Sequence, residues 1–321
     1  CEPEYLLYLH QNLMTTGELH MKYTVLGPGI IGSGLAVNAA MSGNDVTLYG
    51  RKPFEAIRGK IDEILDIFVD TGILTREKAD ECFRAIKYTN DMEAACIGAD
   101  LVQECLAERL DLKKETYRRI QEACGDRQPI IASATSSMFP SVLAEGALHP
   151  EKIICGHPYN PSYILPLIEV CATLSDQETI EKAMACYKAM SKVPILCRKE
   201  AKGFIVNKVS WNALATAKGI VEEGICTVED MDKAIMYGPG MRMAVTGQLL
   251  TMSLGVDGGF REYEKKYAGK AEASEPYLKL AEGIDEALAH RTPEEGNTPE
   301  EVIRYRDRLF AVLLKAQGFF R

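Results

Sequence analysis

Two groups of residues in this 321-residue chain have types and spacings suited to chemistry. The first is Gly27-x-Gly29-x-x-Gly32, directly after the apolar run Lys22–Leu26 and at the opening of a helical pattern over Ile30–Met41. The first glycine permits a tight turn, the second lets a pyrophosphate approach the backbone, and the third lets helix and strand pack closely. Ile30 and Ile31 begin the helix, whose N-terminus then faces the phosphates. A lone GxGxxG is weak evidence, but a second strand at Asp45–Tyr49 completes a βαβ unit, the context that makes it a dinucleotide fingerprint. A NAD-binding chain usually places Asp or Glu at the end of that second strand, where it bonds the ribose 2′-hydroxyl. Here the place reads Tyr49-Gly50-Arg51-Lys52. Gly50 supplies no carboxylate, and Arg51 and Lys52 either receive a 2′-phosphate or are solvated loop charges. The cofactor is therefore expected to be NAD(P), with NADP suggested by this stretch; an Asp at position 50 would shift preference toward NAD.

The second group is Gly156-His157-Pro158-Tyr159-Asn160-Pro161 together with Leu167-Ile168-Glu169-Val170. Of the five histidines, His157 alone ends a buried strand pattern. Glu169 stands among apolar residues, where a carboxylate is expensive to bury unless a partner meets it. Two strands joined by the turn Tyr159–Leu165 would bring the pair together. The carboxylate would then fix one imidazole nitrogen and leave the other free for acid–base work. The alternative is a structural ion pair at a strand end.

The elements that must carry these residues follow from periodicity. Strands are expected at Lys22–Leu26, Asp45–Tyr49, Leu101–Glu104, Pro129–Ala132, Lys152–Gly156 and Pro166–Cys171, with helices at Phe54–Val69, Arg76–Ile86 and Asp111–Ala123. Alternation of this kind gives an α/β fold, a Rossmann-type, mostly parallel sheet. Beyond Lys199 the strand signals stop. Gly203–Gly224, Val228–Tyr237, Met243–Ser253, Pro276–Leu288 and Pro299–Gln317 all read as helices, so an all-helical C-terminal domain follows. The expected division is an N-terminal extension or remnant over 1–20, a dinucleotide-binding domain over 21–199, and a helical substrate and dimerisation domain over 200–321.

Composition narrows the partners. Hydrophobic residues at 46% and charged residues at 26% suit a globular chain. A net charge of −9 lacks the concentrated positive surface that nucleic acid requires. The stretch Tyr23–Asn44 carries no charge and imitates a membrane span, but its glycines belong to the dinucleotide loop, and no membrane association is expected. Ten cysteines without a CxxC pair fit reduced thiols in a cytoplasmic protein, and no metal site is expected.

Taken together, the motifs resemble the 3-hydroxyacyl-CoA dehydrogenase family: GPGIIGSG at 27–34, LVQE at 101–104, SATSS at 133–137, GHPYNP at 156–161, LIEV at 167–170, GFIVNK at 203–208 and VEEGICTVEDMD at 221–232. The resemblance implies that Ser136, His157, Glu169 and Asn207 are the catalytic set, and that Glu108, Lys113 and Asn160 lie on the cofactor side. It also implies hydride transfer between a 3-hydroxyl and a nicotinamide, and a homodimer through the helical domain. Gly-Pro-Gly-Met-Arg-Met at 238–243 is more similar to the branch containing L-carnitine dehydrogenase and the lambda-crystallin-like L-gulonate dehydrogenases. There Arg242 would grip a free carboxylate. A CoA thioester as substrate and a crystallin-like protein without turnover are the alternatives. Two positions depart from the family: Ala134 replaces the asparagine of SNTSS, and Gly50 replaces the usual acidic residue.

Overall fold

Apolar runs too short for helices form strands, and the amphipathic segments between them form the crossovers. In a computed structural model that describes residues 20–320, these are β1 (Lys22–Leu26), α1 (Ile30–Met41), β2 (Asp45–Tyr49), α2 (Glu55–Asp70), α3 (Arg76–Ala85), β3 (Ile86–Thr89), α4 (Met92–Cys96), β4 (Leu101–Glu104), α5 (Leu110–Cys124), β5 (Ile130–Ser133), α6 (Pro140–Leu143), β6 (Ile153–Pro158), β7 (Leu167–Cys171), α7 (Gln177–Ala189) and β8 (Val193–Cys197). The extension expected over 1–20 falls outside the described residues except for His20, whose ring bonds the Gly43 carbonyl at 3.0 Å.

The strands form one sheet in the order β3-β2-β1-β4-β5-β6-β7-β8. Every neighbouring pair is parallel except β6 and β7, which are joined by a connection too short for a parallel crossover and run antiparallel. Helices cover both faces, so the inner strands are buried throughout: all four residues of β4 and of β5 are buried, Gln103, Glu104 and Ser133 included. The order reverses at β1, between β2 and β4, and the glycine loop leaves β1 at that point. Ligands of doubly wound sheets bind in this crevice.

Under β6 the packing is close. Gln103 donates to the carbonyls of Ala132 and Gly156, both at 3.1 Å, and accepts from the Tyr187 hydroxyl at 2.6 Å. A Cβ on Gly156 would overlap that hydroxyl. The residue before His157 is thus fixed by a fully buried tyrosine.

The chain divides into two compact units, the first ending at Asn212 and the second beginning at Ala213. Helix α8 (Val206–Glu222) begins in the first unit, tied to it by Tyr159 and Ser210, whose hydroxyls lie 3.0 Å apart. The second unit is helical: α9 (Val228–Tyr237), α10 (Pro239–Ser253), α11 (Phe260–Ala268), α12 (Glu275–Ala289) and α13 (Pro299–Ala316). Its small core gathers Leu250, Leu288 and Val302. Thr298 and Glu301 form a reciprocal cap at the start of α13. No helix among the described residues is long and apolar enough to cross a membrane.

Because Tyr187 fills the space beside Gly156, Gly156→Ala should lower stability by about 1–3 kcal/mol through overpacking. Tyr187→Phe in that background should recover part of the loss. Urea unfolding of the four proteins checks the pair, and additive effects would contradict the described contact.

Candidate active site

His157 and Glu169 sit directly opposite each other on β6 and β7, a consequence of the antiparallel register. Nδ1 of His157 is 2.8 Å from Oε2 of Glu169. The other carboxylate oxygen, Oε1, accepts the backbone N–H groups of Ile205 at 2.8 Å and Val206 at 2.9 Å, where α8 begins. The side chain of Glu169 is 1% exposed and that of His157 is 10% exposed. Burial by itself would raise the Glu169 carboxyl. The hydrogen bond from His157 and the two from the helix start outweigh it and hold the carboxyl below the ordinary range. The imidazole rests beside Phe204 at a centroid distance of 5.7 Å, and its Nε2 makes no hydrogen bond among the described residues.

Ser136 and Asn207 lie on two other elements. Ser136 is exposed three residues beyond β5, whose Ser133 pairs with Cys155, two residues before His157. Asn207 is half-buried in the first turn of α8, next to the Val206 amide that Glu169 holds. Neither side chain has a hydrogen-bond partner among the described residues. The geometry therefore ties His157, Glu169 and the segment bearing Asn207 together by direct bonds, and leaves both polar tips unengaged.

The residues of the glycine loop fit a dinucleotide. Gly27 adopts φ +104°, and a Cβ there would stand 2.6 Å from the Cys105 carbonyl oxygen. A Cβ on Gly32 would overlap the Gly27 carbonyl, whereas one on Gly29 would meet nothing within 4 Å. The space over Gly29 is open to a ligand. No side chain caps α1 and no acidic residue stands in its first turn, so the N–H groups near Ile30 and Ile31 remain available to an anion. Past β2, Gly50 is buried while Arg51 and Lys52 are exposed, with no ion-pair partner for either side chain among the described residues.

Glu108, Lys113 and Asn160 lie beyond the ends of β4 and β6. Asn160 is exposed. Glu108 accepts from the Thr135 hydroxyl and from Ser137 at 2.8 Å, and burial, which would raise its carboxyl, is outweighed by these bonds and by the Lys113 charge. Lys113 is 1% exposed, 3.4 Å from Glu108 and held more closely by Glu104, whose carboxylate oxygens are each 2.8 Å from Nζ. Glu104 also accepts from Tyr117 at 2.6 Å, Ser133 at 2.8 Å and the Leu106 amide at 2.7 Å. Sequence reasoning noted Glu104 only as part of a motif. The available signal was a carboxylate closing an apolar strand, the same signal that marked Glu169.

Arg242 belongs to the second unit and is exposed. The stretch around it was expected to be a turn before a helix starting at Met243. Instead α10 starts at Pro239, since proline suits the first helical position, and it bends at Gly247, where φ is +66°. Arg242 is therefore a residue of the first helical turns.

The chain matches the family model described as 3-hydroxyacyl-CoA dehydrogenase, NAD binding domain, over residues 22–201, and the C-terminal domain of the same family over residues 203–296. L-carnitine dehydrogenase of Pseudomonas putida is 31% identical over 303 residues, 92% of this chain and 93% of that enzyme. L-carnitine dehydrogenase of a Pseudomonas species is 32% identical, over 93% of this chain and 95% of that enzyme. Among solved structures, 3-hydroxybutyryl-CoA dehydrogenase from Escherichia coli aligns with a TM-score of 0.61 at 26% identity, covering 83% of this chain and 57% of that one.

Glu104 is the close counter-charge of a lysine that has no access to water. Glu104→Gln should therefore lower stability by about 3 kcal/mol, the low end of the cost of stranding a buried charge, because Glu108 remains at 3.4 Å. Glu104→Leu combined with Lys113→Met should lose less than Glu104→Gln alone. Denaturant unfolding at pH 7 checks this, and a loss under about 0.5 kcal/mol for Glu104→Gln would contradict it.

Proposed function

Since the chain belongs to the 3-hydroxyacyl-CoA dehydrogenase family, we propose that it interconverts the 3-hydroxyl and 3-ketone of a short free 3-hydroxy acid of the carnitine kind. It is a nicotinamide-dependent oxidoreductase. The observation that carries the mechanism is the buried bond between His157 Nδ1 and Glu169, with Nε2 left free. A nicotinamide dinucleotide held by the glycine loop would supply the hydride acceptor or donor for the carbinol carbon. His157 Nε2 takes the hydroxyl proton in oxidation and gives it back in reduction. Glu169 sets the tautomer and ring orientation and stabilises the imidazolium that forms. Ser136 and Asn207, both without other partners among the described residues, hold the substrate oxygen where charge develops.

On the cofactor side, Gly27, Gly29, Ile30, Ile31 and Gly32 cradle the pyrophosphate, and Glu108 and Asn160 line the nicotinamide side. Lys113, expected there from the sequence, is buried on Glu104 and acts only through Glu108. Gly50, Arg51 and Lys52 face the adenosine ribose. The missing acid at 50 and the two cations, unpaired among the described residues, support acceptance of NADP(H). Arg242 selects a free carboxylate over a thioester, by two parallel hydrogen bonds that a thioester carbonyl cannot return. The same reading includes a cytoplasmic homodimer through the helical unit. The nine free cysteines among the described residues and exposed apolar side chains such as Ile225, Val228 and Leu249 support it.

His157→Gln and Glu169→Gln should each lower kcat by about 10²- to 10⁴-fold, with dihydronicotinamide binding retained. Near-parental turnover in either variant would reject the pair as the acid–base device. Arg242→Met should raise KM for the free acid by about 10-fold or more, the loss of one charge-assisted bond pair. Steady-state kinetics with free 3-hydroxy acids and their CoA esters check the assignment. Turnover of CoA esters alone would replace the free-acid reading with the thioester one.

A further inference from the structure

The end of β2 is crowded in a way that bears on cofactor choice. Gly50 donates its N–H to the Thr89 carbonyl at 3.1 Å, and Gly27 donates to the Tyr49 carbonyl at 3.0 Å, so the ends of β1, β2 and β3 are drawn together around the glycine loop. Leu48 pairs with Tyr88 across β2 and β3. Tyr88 projects from β3 over the end of β2. Its ring packs on Phe54 at 5.2 Å, and its hydroxyl donates to the carbonyl of Lys52. A Cβ on Gly50 would overlap that hydroxyl and would stand 3.1 Å from Tyr88 Cε2 and 2.9 Å from Pro28 Cγ. The φ of Gly50 lies outside the left-handed region, so its backbone admits other residues and space alone excludes them. Burial, together with the neighbouring Tyr49, raises the Tyr88 phenol, which therefore stays uncharged and brings no negative charge to the site.

We propose that Tyr88 bars an acidic side chain from position 50, by occupying the volume such a side chain needs in order to bond the adenosine ribose, and so holds the chain to a ribose site without a carboxylate. This rests on the reading that the ribose lies past β2. Phe54 and the Lys52 carbonyl hold the phenol in place, so a carboxylate added at position 50 must displace an anchored ring. The simple exchange Gly50→Asp, expected from the sequence to move preference toward NAD, is then insufficient. Removal of the Tyr88 ring takes away two of the three nearest atoms, and the third is a half-buried proline ring carbon that can shift by pucker.

The test is a double-mutant cycle of Gly50→Asp and Tyr88→Ala, read by dissociation constants for NADPH and NADH from dihydronicotinamide fluorescence and by Tm. In the parent background Gly50→Asp should lower Tm by several degrees and shift the NADPH-to-NADH ratio of constants by less than about 3-fold. In the Tyr88→Ala background it should leave Tm within about 2 °C and shift the ratio toward NADH by about 10-fold or more, the size of one charge-assisted contact. If Gly50→Asp alone does not fold, the proposal requires that Tyr88→Ala restore folding. An equal shift in both backgrounds, no shift in the double variant, or an equal loss of Tm in both would overturn it. The judged quantity is a change in ratio. An error in the starting preference therefore shows in the unmodified chain, and failure of both dinucleotides to bind there overturns the ribose placement and this proposal together.

Discussion

A buried carboxylate must satisfy both of its oxygens, and Glu169 does so in opposite directions. One oxygen holds His157 on the neighbouring strand and the other holds the first amides of α8. Without the histidine the carboxylate would be a buried charge with a single set of partners. Without the helix start it would bind His157 but fix nothing else. Because the two bonds share one rigid group, the position of the imidazole and the position of Asn207 are set by the same atom pair. This arrangement depends on the reversal of strand direction between β6 and β7. A parallel register there would have required a long crossover, and the short connection 159–166 places Glu169 opposite His157 instead.

The cofactor half of the first unit follows the same logic of buried charge answered by several donors. Glu104 ends β4 with five bonds, and its principal partner, Lys113, is carried by α5, the crossover helix that leads toward β5. The pair locks a helix to a strand end beside the glycine loop: the Cys105 amide donates to the Leu26 carbonyl at 2.8 Å, directly before Gly27. Glu104 on β4 and Ser133 on β5 are thus held in one buried network with Lys113 and Tyr117.

Much of this was legible in the sequence, and for identifiable reasons. The loop Gly27–Gly32 was readable because only glycine tolerates the close backbone approaches found there, and Glu169 because a carboxylate in an apolar run demands a partner. Other elements were hidden by competing signals. β3 begins at Ile86, where the helical pattern of Arg76–Ala85 runs on without a break, so the strand was absorbed into the helix. β8 contains Pro194, which argues against an inner strand; the sheet order places it at the edge, where proline is tolerated. Helix α7 had a readable start, since Asp176 caps the Thr179 amide at 2.8 Å, but its many partly exposed small residues gave a weak stripe. The packing of Tyr88 against Gly50 joins residues far apart in sequence, and that of Lys113 against Glu104 spans a strand end, a loop and a helix turn, so no single periodic pattern encodes either.

In the proposed mechanism Glu169 keeps the proton of neutral His157 on Nδ1 and leaves Nε2 as the base. Nitrogen-15 NMR of the protein labelled at histidine measures this tautomer directly. At pH 8 the account predicts a protonated Nδ1 with a downfield proton signal for His157, lost in Glu169→Gln, and an unprotonated Nε2. A neutral ring protonated on Nε2, or a Nδ1 proton signal unaffected by Glu169→Gln, would contradict it.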